Sequence, residues 1–222
     1  MKQFNNGNNG NLIVFEGIDG SGKTTQIKLL TKLLKVKKIP FEVISFPQYG
    51  QNGYAQKIFD YLSGKLGNLK EVDPYEMAKL YASDRKTVKD KIENWLAEGK
   101  LVIANRYVSS SKAHLGANLA EEKRADFIKW IDQLEYQENS LPKEDLTVLL
   151  SVDPKTGQKN SKTKNHPDIH EDNLSHLTKT REIFLQLAKH EQDWVVVDCM
   201  SNFQMKSPEE IQKEVVAELK NI

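Results

Sequence analysis

Residues 12–24 read LIVFEGIDGSGKT, and this stretch decides the fold. Its first half is a β-branched and aromatic run with no polar face until Glu16, the pattern of a strand buried on both sides. Its second half, Gly17-Ile18-Asp19-Gly20-Ser21-Gly22-Lys23-Thr24, spells G-x-x-x-x-G-K-[ST] between that strand and a segment of helical period. The spacing has a physical reason. Glycines let successive backbone N–H groups converge on phosphate oxygens, and the helix opening behind them adds the partial positive charge of its N-terminus. Lys23 can then bridge the β- and γ-phosphates, and the Thr24 hydroxyl is offered to Mg²⁺. Nucleoside triphosphate binding is expected, with Gly17, Asp19, Gly20, Ser21, Gly22, Lys23, Thr24 and Thr25 as the ATP-binding loop. Hydrolysis, transfer and signalling are all still open at this point.

Outward from the loop, four more apolar, β-branched runs follow: FEVISF (41–46), LVIANR (101–106), LTVLLSV (146–152) and WVVVDC (194–199). Segments of helical period lie between them, among them Gln26 to Val36 and Pro74 to Leu96, with apolar residues at three- and four-residue steps. Strand and helix alternate along the chain, which predicts an α/β fold with a doubly wound parallel sheet and helices on both faces. Asp73-Pro74-Tyr75-Glu76 and Ser207-Pro208-Glu209-Glu210 each give an N-cap, a first-turn proline and a glutamate for a helix start. Residues 1–11, rich in Asn and Gly, are expected to be a disordered leader, and 12–222 one domain. A lid is placed at about 155–168, KTGQKNSKTKNHPD, as a mobile surface loop with four lysines and no large apolar side chain.

Composition narrows the function classes. In 222 residues, 32 cations against 31 anions leave a net charge of +1, so no global field gathers nucleic acid or anionic lipid. Phosphate handling must be local. The lone Cys199 excludes a disulfide framework within the chain and a cysteine-based zinc cage, and a reducing, cytoplasmic setting is expected. Neither a signal peptide nor a membrane span is expected. His166 and His170, four apart, have no third ligand type at metal-binding spacing. Only four cations are arginine, at 85, 106, 124 and 181, so their positions carry information.

Two of those four fall near the carboxyl edge of the expected sheet, where open α/β folds bind ligands. The second strand ends in Phe46-Pro47-Gln48-Tyr49-Gly50, and the third delivers Asn105-Arg106-Tyr107, followed by Ser109, Ser110, Ser111 and His114. Tyr81 and Arg85 are four apart on one helix face, an aromatic plane beside a planar donor fork that suits a flat base.

At this point the chain resembles the thymidylate (dTMP) kinases of the P-loop nucleoside monophosphate kinase group, over residues 12 to 220. The segments that carry the likeness are FEGIDGSGKTTQ, FPQYG, VDPYEMAKLYASDR, NRYVSSSKAH and DIHEDNLSHLTKTREIF, in that order. The resemblance implies a three-layer, five-stranded sheet of the P-loop nucleoside triphosphate hydrolase type with a short lid, usually in a homodimer. It implies transfer of the ATP γ-phosphoryl group to dTMP with Mg²⁺. It further implies Asp19 facing the acceptor sugar, Phe46 and Pro47 as base-pocket wall, Tyr81 stacked on thymine, and Arg85 as donor to a thymine carbonyl. Arg106 matches the arginine that holds the acceptor phosphate, Ser110 and His114 the positions lining sugar and base, and Glu171 the acidic residue at the base of the lid.

Lys23, Arg106, Asp19 and Asn105 form the expected catalytic set, and Thr24 with Asn105 the metal site. Two departures from the family pattern stand out. Asn105 occupies the place of an aspartate before the Arg-Tyr pair, and the lid has lysines where related enzymes supply arginine, so Lys159 or Lys162 is expected to reach the γ-phosphate. Alternatives are a catalytically impaired nucleotide-binding homologue and a kinase of another nucleoside monophosphate.

Overall fold

The computed structural model describes residues 9–65, 72–161 and 173–219. β1 (Leu12–Glu16) is the central strand of a parallel sheet that also contains β2 (Phe41–Ser45), β3 (Leu101–Asn105), β4 (Leu146–Ser151) and β5 (Trp194–Asp198), in the order β2-β3-β1-β4-β5. Both neighbours of β1 come later in the chain, so the chain leaves it in opposite directions and a crevice opens at its carboxyl end.

The apolar side chains of β1 point alternately to the two faces. Ile13 and Phe15 join a core with Ile103, Val148, Ile27, Leu30, Phe184 and Val215, while Leu12 and Val14 join another with Val102, Ala104, Ile58, Met77 and Ile131. The first core is roofed by α1 (Lys23–Lys37), α8 (Leu174–His190) and α9 (Pro208–Glu218). The second is roofed by α2 (Gly53–Leu62), α3 (Pro74–Lys86), α4 (Lys89–Ala97), α5 (Val108–Gly116) and α6 (Glu121–Asp132). Three layers result, as the alternation of strand and helix predicts. A π-helical turn, Gln133–Glu138, continues α6. A small hairpin of β6 (Met200–Ser201) and β7 (Gln204–Met205) precedes α9.

Both marked helix starts are present: the Asp73 carboxylate accepts from the Tyr75 N–H, and Ser207 and Glu210 form a reciprocal capping box. Three expectations need correction. β2 and β5 are not buried on both faces, because they form the edges of the sheet and leave Val43 40% and Val196 47% exposed. The helical period from Pro74 to Leu96 is two helices, broken where the Thr87 hydroxyl donates to the Asp84 carbonyl at 2.7 Å, in competition with the helical ladder. The lid is not a loop over its first half, since 154–161 form α7 (Pro154–Ser161). Asp153 accepts from the Thr156 N–H at 3.0 Å, and Pro154 fills the first turn, the same Asp-Pro start as at 73–74. Residues 162–168 lie outside the described residues, as do leader residues 1–8.

Candidate active site

The site starts with Glu16, at the end of a strand whose other residues are apolar. Its fully buried carboxylate accepts from the Tyr107 N–H at 2.9 Å, the Ser110 N–H at 3.0 Å and the Ser110 hydroxyl at 2.6 Å. These bonds tie the first turn of α5 to the strand that feeds the phosphate loop. Burial pushes the Glu16 carboxyl up from its ordinary range, against the opposing pull of Arg106 and of its hydrogen bonds. Sequence reasoning passed over Glu16, although a carboxylate inside a buried strand is itself a signal.

Arg106 lies between those two anchors with φ at +67°, a left-handed conformation that a non-glycine residue holds only where its surroundings fix it. Its guanidinium is ion-paired with Asp19, donates to the Ser110 hydroxyl at 3.2 Å, and lies 2.9 Å from His114 Nε2. A guanidinium only donates, so Nε2 serves there as the acceptor nitrogen. Behind His114 stands His176 from α8, their ring centroids 5.9 Å apart. Burial lowers the His176 pKa to about 4, despite the counter-pull of Asp19.

Lys23 is buried, its ammonium donating to the Gly17 and Ile18 carbonyls at 2.8 and 2.9 Å. The loop turns through Gly22 in the left-handed region and through Gly20, where an added Cβ would strike the backbone carbonyl of Gly157. Glycine faces glycine here, because a Cβ on Gly157 would lie 2.7 Å from the Asp19 carbonyl oxygen. That close approach docks α7 on the phosphate loop. Asn160 completes the contact by donating to the Gly20 carbonyl at 3.1 Å.

A cavity of about 900 Å³ runs across the loop. Its walls bring together the apolar and aromatic side chains of Phe46, Pro47, Tyr49, Phe59, Leu62 and Tyr81, the polar groups of Asp19, Asn105, Arg106, Ser110, Ser111 and His114, and the segments holding Thr24, Thr25, Gln26, Asn160, Met205, Lys206, Pro208 and Ile211. The three sequence-distant segments at 46–47, 81 and 105–114 therefore do meet the loop. Phe59, Leu62, Asn160 and the 205–211 segment were missed. The first two lie on an amphipathic helix, where their spacing reads as core, and the last runs from the end of the hairpin into α9, where Ser207-Pro208-Glu209-Glu210 signals a helix start and not a binding site.

Arg85 is placed differently from the expectation of direct contact. It is 1% exposed, ion-paired to Glu135, and absent from the cavity wall. Its guanidinium donates to the Tyr107 carbonyl at 3.3 Å and to the Ser111 hydroxyl at 2.8 Å, so it reaches the cavity through Ser111. Lys159 is an exposed residue of α7 outside the cavity wall. Lys162, His166, His170 and Glu171 lie outside the described residues.

A family description of thymidylate kinase matches residues 15–214 of this chain. The chain is 36% identical over 211 residues to the probable thymidylate kinase of Pyrobaculum aerophilum, covering 95% of this chain and 96% of that one. It is 37% identical over 216 residues to the probable thymidylate kinase of Methanocaldococcus jannaschii, again covering 95% and 96%. A solved thymidylate kinase from Candida albicans superposes with a TM-score of 0.75 over 96% of this chain and 93% of that one, at 23% identity, a likeness of fold.

Proposed function

The chain belongs to the thymidylate kinase family, and from that premise we propose how its residues move the γ-phosphoryl group of ATP to dTMP, giving ADP and dTDP. The observation that carries the reading is that one cavity is lined at once by the aromatic side chains, by Arg106 and by the phosphate loop. Two nucleotides bound in it together would meet phosphate to phosphate beside Arg106 and the loop.

Phosphoryl transfer asks for positioning and charge neutralisation more than for covalent help. The acceptor phosphate oxygen is already anionic, so no strong base is needed. Arg106, held by Asp19, Ser110 and His114, fixes that phosphate in line, and Lys23 with the loop N–H groups neutralises the migrating group. Phe46, Pro47 and Tyr81 enclose the thymine, and Asp19 with His114 faces the sugar. Docked on the loop through Gly157, α7 excludes the water that would otherwise hydrolyse ATP.

The residues present fit Mg²⁺. The side-chain oxygen Oδ1 of Asn105 is buried at the cavity wall with no partner among the described residues, and Thr24 offers a hydroxyl to the same cavity. Thr24 would bind the ion directly and Asn105 would orient its waters; the ion itself supplies positive charge to the phosphate oxygens. The assembly we assign is a homodimer in the cytoplasm; the described residues contain no helix long and apolar enough to cross a membrane.

ADP release measured across a panel of nucleoside monophosphates tests the reading. dTMP is expected to give by far the largest kcat/KM, and a flat response across the panel would defeat the substrate assignment.

A further inference from the structure

α5 opens without a cap of its own. Its N-cap is Tyr107, whose side chain makes no capping bond. A capping box satisfies two donors at such a start, the N–H of the N-cap and the N–H of the third helical residue. Here these are the N–H groups of Tyr107 and Ser110, and both donate to Glu16 Oε1, at 2.9 and 3.0 Å. The cap of α5 is thus supplied by β1, 91 residues earlier in the chain.

Capping alone does not account for Glu16. A serine at the N-cap serves a helix start without burying a charge, whereas the Glu16 side chain is fully buried. What the glutamate adds is its second oxygen. Glu16 Oε2 accepts from the Ser110 hydroxyl at 2.6 Å, and because an ionised carboxylate only accepts, the Ser110 proton is committed to it. The Ser110 oxygen is left to accept from Arg106 Nη1 at 3.2 Å. Glu16 therefore acts on Arg106 twice. Its Oε1 holds the N–H that follows the left-handed Arg106 backbone, and its Oε2 holds, through Ser110, one arm of the fork. The same residue is joined by one peptide bond to Gly17, where the phosphate loop begins.

We propose that Glu16 is a positioning residue for phosphoryl transfer: through Ser110 it fixes the Arg106 fork at a set place relative to the phosphate loop. The proposal rests on the reading of Arg106 as the holder of the acceptor phosphate and deepens it. Glu16 is absent from the cavity wall and touches neither nucleotide. It couples the arginine that holds the attacking phosphate to the loop that holds the donor, and in-line transfer is sensitive to a misplacement of about 1 Å. Without the carboxylate at its full reach the Ser110 hydroxyl loses its partner, and the fork loses the oxygen that aims it.

Thymidine and dTMP differ only in the phosphate, so the ratio of their Kd values, measured by isothermal titration, isolates what Arg106 contributes. The wild-type chain is expected to bind dTMP about 100-fold tighter than thymidine. Glu16→Asp keeps the charge and withdraws the carboxylate by one methylene. It is expected to lower that ratio about tenfold and kcat by a similar factor, with the Kd values for thymidine and for a non-hydrolysable ATP analogue within about twofold of wild type. A merely structural role would weaken thymidine and dTMP together, lower the melting temperature and leave the ratio alone. Should Glu16→Asp fail to fold, Ser110→Ala decides, because it cuts the link from Glu16 to the fork while leaving both N–H bonds in place; the same fall in ratio is expected. A ratio that survives in a folded variant overturns the proposal while the reading of Arg106 stands. A wild-type chain that binds thymidine as tightly as dTMP defeats that reading, and the proposal with it.

Discussion

Arg106 is where charge, strain and hydrogen bonding converge. Its left-handed backbone is held from below by Glu16, and its guanidinium by Asp19, Ser110 and His114. A lysine could keep the charge but not the fork that makes these contacts at once. Arg106→Lys is therefore expected to lower kcat/KM for dTMP by about 100-fold or more while ATP binding, followed by fluorescent-analogue displacement, changes little. Asn105 gives the opposite prediction. Its side-chain oxygen Oδ1, without a partner among the described residues, can orient water but brings no negative charge. Asn105→Asp is expected to lower the Mg²⁺ concentration for half-maximal activity by about tenfold, and an unchanged Mg²⁺ titration would remove Asn105 from the metal site. Most of these residues were legible in the sequence because each lies at the end of a marked strand or inside a motif. Arg85 was legible as important but not as buried: helix spacing shows which residues share a face, not which neighbour covers them, and Glu135 lies fifty positions away in a turn without periodicity.

Among the elements, α7 shows what polar composition conceals. With no large apolar residue it reads as a loop, yet it packs on the phosphate loop by having less side chain rather than more. Gly157 meets Gly20 where any Cβ would collide, and Asn160 bonds to the Gly20 carbonyl. Gly157→Ala is expected to lift α7 off the loop, raising the KM for ATP about tenfold and increasing the fraction of ATP hydrolysed without dTDP formation. Parallel ADP and dTDP assays measure that fraction; equal yields in the variant would show that α7 does not exclude water. The strands, by contrast, were readable almost to the residue, because a parallel sheet covered on both faces leaves its central strands few polar positions, Thr147 in β4 among them. The edge strands deviate for the same reason, having a neighbour on one side only. Thr87 broke a helix that apolar spacing alone would have continued.

At the scale of the molecule, the site is buried deeply enough to tie stability to pH. His176 is 3% exposed between α5 and α8, and burial lowers its pKa from 6.5 to about 4. Between these values the unfolded chain binds a proton at this histidine and the folded chain does not. Stability should therefore fall by about 3 kcal/mol as pH drops from 6.5 to 4. Urea titrations of His176→Gln across that window should show a flatter curve than wild type, and parallel curves would contradict the assignment. The layered sheet, the loop at its centre and the ligand-binding edge all follow from one order of strands, and they bring Glu16 of β1, Arg85 of α3, Arg106 between β3 and α5, and Glu135 of the π-helical turn around the first turn of α5.

Because the account turns on two nucleotides exchanging a phosphoryl group across the loop after β1, product analysis tests it most directly. With ATP, dTMP and Mg²⁺ supplied together, ³¹P NMR should show dTDP and ADP appearing in equal amounts. ADP accumulating together with an equal amount of inorganic phosphate, with dTMP left untouched, would contradict it.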